Sequence, residues 1–145
     1  IIAHFDWDDI SAPTRLQRQL DHLRSTGKEV TGFYNMPMYD LKNDKVWIYI
    51  NPSKNYSLGN CLLYKREAWE RVKFPDKKPE DNLWRKNIGG ENIESRSVFE
   101  PDGTPLMIQV VHGANASASI IRSSVYYQEP SEAQEKAIRE LLASA

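Results

Sequence analysis

The sequence opens with I-I-A-H-F-D-W-D-D at residues 1–9, an apolar run that ends in three carboxylates. The run over 1–5 is short and β-branched at its start, which predicts a buried strand. Asp6, Asp8 and Asp9 lie within four positions, and carboxylates this crowded repel one another unless a cation or another partner neutralises them. The opening therefore predicts a strand that carries acidic groups at its C-terminal end.

The composition is that of an ordinary globular domain. Of 145 residues, 40% are hydrophobic and 27% are charged, which is enough for one domain with a core. The 19 basic and 20 acidic residues give a net charge of −1, which argues against a general nucleic-acid or membrane-surface binder. The single cysteine cannot form an internal disulfide, and no apolar run reaches the roughly 18 residues of a membrane span. We therefore predict one cytoplasmic domain over residues 1–145.

Hydrophobic periodicity predicts that strands alternate with helices. A first helix over 12–26 begins after Ser11, which can cap it. Its apolar stripe consists of Leu16, Leu20 and Leu23. Strands are predicted at 28–34, at 45–50 and within 97–112, and residues 62–72 are predicted to pass from a strand into a short helix. A short helix at 82–86 and a C-terminal helix, which Ser131 and Gln134 begin with a capping box, complete the α/β pattern.

The acidic end of the first strand is a candidate metal site. Alternate side chains of a strand point to the same side, so Asp6 and Asp8 can converge on one cation. Carboxylate oxygens suit Mg²⁺ or Mn²⁺, which proteins commonly share with a diphosphate. Alternatively, Asp8 or Asp9 caps the helix that follows, since acidic residues are favoured before a helix. The residues alone leave both interpretations open.

Three motifs resemble those of family 2 glycosyltransferases, in the expected order and spacing. F-D-W-D-D-I-S-A-P-T-R-L (5–16) resembles their Asp-x-Asp-Asp segment and the helix start after it, and V-T-G-F (30–33) is similar to their next strand. S-L-G-N-C-L-L-Y-K-R-E-A-W-E-R-V-K-F (57–74) resembles their acceptor-side segment. P-E-D-N-L-W-R (79–85) falls where these enzymes place a Glu-Asp pair at the start of a short helix. The resemblance covers about residues 1–90.

The resemblance implies a partial GT-A-like fold, which is an α/β, Rossmann-related mixed sheet flanked by helices. It also implies inverting transfer of a sugar from a nucleotide-diphosphate donor to an acceptor hydroxyl, with Mn²⁺ or Mg²⁺ as cofactor. The half that binds the donor nucleotide in this family has no counterpart in the sequence. We therefore expect either a fragment of a longer protein or a homo-oligomer formed along residues 1–5, where a parallel sheet would expose an unpaired edge.

The resemblance also implies a role for each candidate residue. Asp6 would approach the donor nucleotide, and Asp8 would hold the metal. Asp9 would share this role with Asp8 or replace it. Asp81 would be the general base that takes the proton of the acceptor hydroxyl. The acceptor-binding candidates are Gly59, Glu80 and Trp84.

Several of these residues also have a structural interpretation. Glu80 and Asp81 suit the first turn of a helix after Pro79, where the helix dipole favours acids. Trp84 and Trp69 are candidates for an acceptor pocket because aromatic faces stack on sugars, but aromatic residues on short helices commonly belong to the core.

His112 follows an apolar strand and precedes a glycine. Some GT-A enzymes use a late histidine as a further metal ligand, and neutral imidazole coordinates Mn²⁺. The alternative is a histidine that is hydrogen-bonded at a strand end. The residues after it that are candidates for contacts with phosphate oxygens are Gly113, Asn115 and Ser117. The two remaining histidines, His4 and His22, are predicted to be structural.

Three functions remain open at this point. The first is the glycosyltransferase, which requires Asp8 and Asp81 to line opposite walls of one cleft. The second is a non-catalytic binding or assembly module on the same scaffold. The third is a metal-dependent phosphoesterase that uses Asp6, Asp8, Asp81 and His112. The sugar, the nucleotide and the acceptor are not identified by the sequence.

Overall fold

The computed structural model describes residues 1–114 and 125–145. Over these residues the chain is a mixed α/β protein with two sheets and four α-helices. It divides into two compact units, each assembled from three stretches. The first unit comprises Ile1–Asp6, Leu16–Tyr34 and Pro52–Arg96, and the second comprises Trp7–Arg15, Asn35–Asn51 and Ser97–Ala145. The single domain over residues 1–145 stays a prediction.

The helices and strands alternate along the described chain. The helices are α1 (Arg15–Thr26), α2 (Arg66–Arg71), α3 (Glu80–Ile88) and α4 (Glu132–Ala143). The strands are β1 (Ile2–Ala3), β2 (Ile10–Ser11), β3 (Val30–Thr31), β4 (Asn35–Asp40), β5 (Lys45–Ile50), β6 (Leu63–Tyr64), β7 (Met107–Val111) and β8 (Tyr127–Gln128). Among the described residues, none of the helices combines the length and the apolar character that crossing a membrane requires.

The first unit is built on a three-stranded sheet in the order β1-β6-β3. Both pairs are antiparallel, so the expectation that the first strand lies in a parallel sheet is wrong. Trp84 lies in the core beside this sheet, where its ring stacks on Phe74 with the ring centroids 4.6 Å apart. The other buried residues of this core are Val30, Leu62, Tyr64, Ala68, Ile88 and Ile93.

The second unit is built on a mixed five-stranded sheet in the order β2-β7-β4-β5-β8. β4 and β7 are parallel, and the other neighbours are antiparallel. The C-terminal helix α4 packs Ile138, Leu141 and Leu142 into the core that contains Val46 and Ile108. The predicted capping box of α4 is confirmed, with the Ser131 hydroxyl accepting from the backbone of Gln134.

Helix α1 differs from its prediction in its start and in its buried face. It begins at Arg15, and Ser11 ends β2 instead of capping the helix; the Ser11 hydroxyl accepts a hydrogen bond from the Arg15 guanidinium at 2.9 Å. Leu16 is exposed, whereas Arg15 and Gln19 are buried together with Leu23. The buried face of α1 therefore contains polar residues that have hydrogen-bond partners, where hydrophobic periodicity predicts leucines.

Strand β4 was not predicted, because its sequence N-M-P-M-Y-D contains a proline. Proline lacks the N–H that a central strand donates to its neighbours, so it argues against a strand. In the structure Pro37 pairs with Ile48 of β5, while the ladder to β7 begins one residue later, at Met38. The proline thus lies where β4 has a neighbour on one side only.

Candidate functional site

The second unit brings Asp8 and His112 together, although they are 104 residues apart in the chain. Asp8 lies two residues before β2, and His112 directly follows β7. Because β2 and β7 are antiparallel, with Ile10 opposite Ile108, the residues before β2 lie beside those near the end of β7. Nε2 of His112 is 2.8 Å from Oδ2 of Asp8, and both side chains are mostly buried.

The hydrogen bonds of His112 determine which nitrogen carries the proton. The backbone N–H of Ala114 donates to Nδ1 at 3.3 Å, so this nitrogen presents its lone pair. In a neutral ring Nε2 then carries the hydrogen and donates it to the Asp8 carboxylate. For neutral His112 to bind a cation through Nε2, this hydrogen would have to move to Nδ1, and the hydrogen bond from Ala114 would then be lost.

Asp9 adds a second carboxylate at the same place. Its Oδ1 accepts a hydrogen bond from the backbone N–H of Val110 in β7 at 3.1 Å. Asp8 and Asp9 each present a carboxylate oxygen, and these oxygens lie within 4.8 Å of each other. Neither residue caps α1, which begins six positions after Asp9, so the capping interpretation is wrong. Asp6 is exposed and belongs to the first unit.

Asp8 and Asp9 offer two carboxylate oxygens close enough to share a cation, and His112 contacts one of these residues, Asp8. Two carboxylates and one imidazole are a ligand set that Mn²⁺ accepts. At metal–ligand distances of about 2.0–2.1 Å, adjacent ligands of an octahedral ion lie about 3 Å apart. The 2.8 Å between Asp8 and His112 suits such a pair, and it also suits the hydrogen bond that joins the two residues.

The first unit places Asp81 against Gly59. Asp81 is the second residue of α3, and Gly59 begins a single 3₁₀ turn over Gly59–Cys61. A Cβ on Gly59 would lie 2.1 Å from Oδ2 of Asp81, well inside van der Waals contact. The carboxylate can take this position because residue 59 has no side chain. Glu80 begins α3 and is exposed.

A buried arginine, which the sequence analysis missed, holds the same carboxylate. Nη1 of Arg85 donates to Oδ2 of Asp81 at 3.2 Å, and Nη2 donates to the Asn82 side chain. The guanidinium carbon lies 4.6 Å from the ring centroid of Tyr56, which is a cation–π arrangement. Asp81 and Arg85 are four positions apart, and this spacing would have found the pair had the helix been predicted from Glu80 instead of from residue 82.

His4 supports the Gly59 turn from another side. Its Nδ1 lies 3.0 Å from the Gly59 carbonyl, and its Nε2 lies 3.2 Å from the Tyr64 hydroxyl. A carbonyl accepts only, so in a neutral ring Nδ1 donates to it and Nε2 accepts from the hydroxyl of Tyr64. This arrangement is the structural role expected of His4.

The two tryptophans have different surroundings. Trp84 has no exposed surface, and its Nε1 donates to the carbonyl of Val72. A fully buried ring has no face left for a sugar, so Trp84 has the core role that its alternative interpretation gave it. Trp69 packs partly against the same core, and the Lys73 ammonium lies 3.3 Å from its ring centroid.

The predicted site residues therefore fall into two groups. Asp8, Asp9 and His112 come together in the second unit, and Gly59 and Asp81 come together in the first. Asp8 and Asp81 belong to different units, and the cleft between them stays a prediction. Of the candidate phosphate contacts, Gly113 is described, and Asn115 and Ser117 lie outside the described residues.

Comparison with known proteins finds no significant match among protein-family models, curated proteins or solved structures. The resemblance to glycosyltransferases therefore stays a prediction from the sequence motifs.

Proposed function

We propose that the chain is a family 2 glycosyltransferase, or part of one, with a GT-A-like fold. It would transfer a sugar with inversion from a nucleotide-diphosphate donor to an acceptor hydroxyl, assisted by Mn²⁺ or Mg²⁺. One observation carries this proposal: Asp8 and His112, for which the resemblance implies a role as metal ligands, lie 2.8 Å apart although 104 residues separate them in the chain. Such convergence of distant residues is expected of a binding site.

The donor side would consist of four residues. Asp8, Asp9 and His112 would hold the cation, and Asp6 would approach the nucleotide. When bound, the cation neutralises the charge that builds up on the leaving diphosphate. Before a cation binds, the hydrogen bond from Nε2 of His112 would hold the Asp8 carboxylate at this place, and the cation would then take the position of that bond between the two residues.

The acceptor side would use Asp81 as the general base. An inverting displacement needs a base on the face opposite the leaving group, and a carboxylate accepts the hydroxyl proton as the bond forms. Gly59 supports this role because it leaves the room that the carboxylate occupies. Glu80, exposed at the start of α3, would contact the acceptor.

Calorimetric titration tests the donor side. Mn²⁺ together with a panel of nucleotide diphosphates and nucleotide sugars should bind to the wild-type chain. Asp8→Asn should abolish metal-dependent binding, and His112→Gln should weaken it. Asp21→Asn is the matched control, because Asp21 is an exposed helix residue that pairs with Gln17. Unchanged affinity in Asp8→Asn would refute the metal site.

A non-catalytic assembly module is the second candidate function. The observation that favours it is that β1 is an outer strand of its sheet. Ile1, just before this strand in the chain, and Phe5, two residues after it, are both exposed. Outer strands of this kind pair with other chains unless they are blocked. Sedimentation velocity should then show a homo-oligomer that Phe5→Lys dissociates and that replacement of the aspartates leaves intact.

The phosphoesterase is the weaker alternative, since it needs Asp6, Asp8, Asp81 and His112 at one phosphate. Metal-dependent hydrolysis of bis(p-nitrophenyl) phosphate would favour it over the transferase. For the cellular location we propose the cytoplasm, which is consistent with Cys61 being a buried free thiol.

A further inference from the structure

We propose that Arg85 is a positioning residue that holds the Asp81 carboxylate in place, and that Tyr56 in turn fixes the Arg85 guanidinium. The inference rests on the proposed function in one respect: it takes Asp81 as the base. The positioning itself is a property of the first unit and can be tested without any substrate.

The burial of Arg85 is the first argument. Its side chain is only 6% exposed, whereas that of Asp81 is 34% exposed. Removing a guanidinium from water costs free energy, and the ion pair recovers that cost only with good geometry and further hydrogen bonds. The cation is thus kept inside the protein while the carboxylate it contacts retains access to solvent.

Another arginine–carboxylate pair with the same spacing provides a contrast. Arg66 and Glu70 on α2 are 2.9 Å apart, but their side chains are 70% and 48% exposed. Surface pairs of this type contribute little to stability, and their side chains remain free to move. Arg85 differs because the protein encloses it and provides the Tyr56 ring for its planar group.

Asp81 is restricted from two sides. Arg85 draws Oδ2 by a charge-assisted hydrogen bond, and the same oxygen lies where a side chain on Gly59 would be. The second oxygen, Oδ1, accepts from the backbone N–H of Asn82 at 2.8 Å. A carboxylate held at both oxygens keeps one orientation, which is what a base needs in order to meet a hydroxyl at a defined angle.

The substrate-independent test is ¹³C NMR of protein labelled at the aspartate carboxyl carbon, with the Asp81 signal assigned by Asp81→Asn. Arg85→Gln should move or split this signal, because the carboxylate loses its partner and samples several orientations. Tyr56→Leu, which keeps the Arg85 charge but removes the ring beside it, should change the Asp81 signal less strongly. Arg66→Gln, which removes the same charge from the surface pair, should leave the signal unchanged.

An unchanged Asp81 signal in a folded Arg85→Gln protein would overturn the inference. Circular dichroism establishes the fold of each variant. If Arg85→Gln does not fold, Arg85→Lys and Tyr56→Leu replace it as the test, because both variants keep a cation at this place. An unchanged Asp81 signal in both variants would also overturn the inference.

If transfer is measurable, Arg85→Gln should lower kcat about tenfold to a hundredfold, with the KM for the nucleotide sugar little changed. Equal losses in kcat from Arg66→Gln would contradict positioning. A wild-type chain that transfers no sugar from any donor tested would refute the proposed function, while the NMR result would still decide the role of Arg85.

Discussion

The Asp81 carboxylate occupies the space that a side chain on Gly59 would need, with Oδ2 2.1 Å from the position of a Cβ. The backbone of Gly59 does not have a positive φ, so alanine at this position would cause no backbone strain. Only the steric contact with the Asp81 carboxylate would disfavour it. This close approach ties the helix start that carries Asp81 to the turn that carries Gly59.

Gly59→Ala should therefore displace the Asp81 side chain and weaken its pairing with Arg85. We expect a loss of about 1–3 kcal/mol in the free energy of unfolding, as for other overpacked sites. Urea denaturation measures it. Gly90→Ala is the matched control, because a Cβ there meets Asn55 at an ordinary 3.4 Å. Equal stability of Gly59→Ala and Gly90→Ala would contradict the steric argument.

Binding of Mn²⁺ should be visible in the fluorescence of Trp7. Trp7 is 92% exposed and immediately precedes Asp8, whereas Trp84 is fully buried. A paramagnetic ion held by Asp8 should quench the Trp7 emission, and Mg²⁺, which does not quench, should reverse the effect by competition. Trp7→Phe should remove the quenched component, and Asp8→Asn should abolish the quenching. Quenching that persists in Asp8→Asn would place the ion elsewhere.

Stability should fall in mild acid because of His22. Burial lowers the pKa of His22 below its usual 6.5; Arg96 and Lys54 add to this shift and Glu94 opposes it. The unfolded chain then binds a proton at His22 more readily than the folded one, so this stability is present above about pH 6.5 and is lost as the pH falls through the folded pKa.

His22→Gln removes this titration. Unfolding free energies from urea titrations at pH 7.5, 6.5 and 5.5 should decline less in the variant than in the wild type. Parallel declines in the two proteins would show that His22 is not the group responsible.

The C-terminal helix should depend on its cap. The Ser131 hydroxyl accepts from the backbone of Gln134, and the Gln134 side chain accepts from the backbone of Ser131. Ser131→Ala should cost about 1 kcal/mol of unfolding free energy, whereas Ser131→Thr, which keeps an acceptor oxygen, should cost less. Thermal melting of the three proteins distinguishes them, and an alanine variant as stable as the wild type would contradict the capping role.

Where local rules act alone, the sequence was sufficient to predict individual strands and helix starts. Strand β5 spans Lys45–Ile50 as its alternation indicates, and the capping box locates the start of α4. Strand β4 was not predicted because it contains Pro37. The missing N–H of a proline matters only where the strand has a neighbour to receive it, and the sequence does not show which neighbours β4 has at that residue. The buried face of α1 was misjudged because Gln19 gains a hydrogen bond from its amide to the Cys61 carbonyl.

The candidate site shows the same division. The motifs predicted Asp8, His112, Gly59 and Asp81, and the structure brings these together in pairs within each unit. The spacing to Asp81 could have indicated Arg85, but nothing local to Arg85 or Tyr56 indicates that the guanidinium will be buried against the ring. Contacts between distant stretches depend on the packing of the whole unit, which periodicity does not describe.

The interleaving of the two units along the chain limits how the protein can be dissected. The polypeptide passes from one unit to the other five times, after Asp6, Arg15, Tyr34, Asn51 and Arg96. No continuous stretch of gene encodes either unit, so no deletion from one terminus removes one whole unit and leaves the other intact. A researcher who wants the Asp81 group without the Asp8 group will have to splice three segments with new linkers.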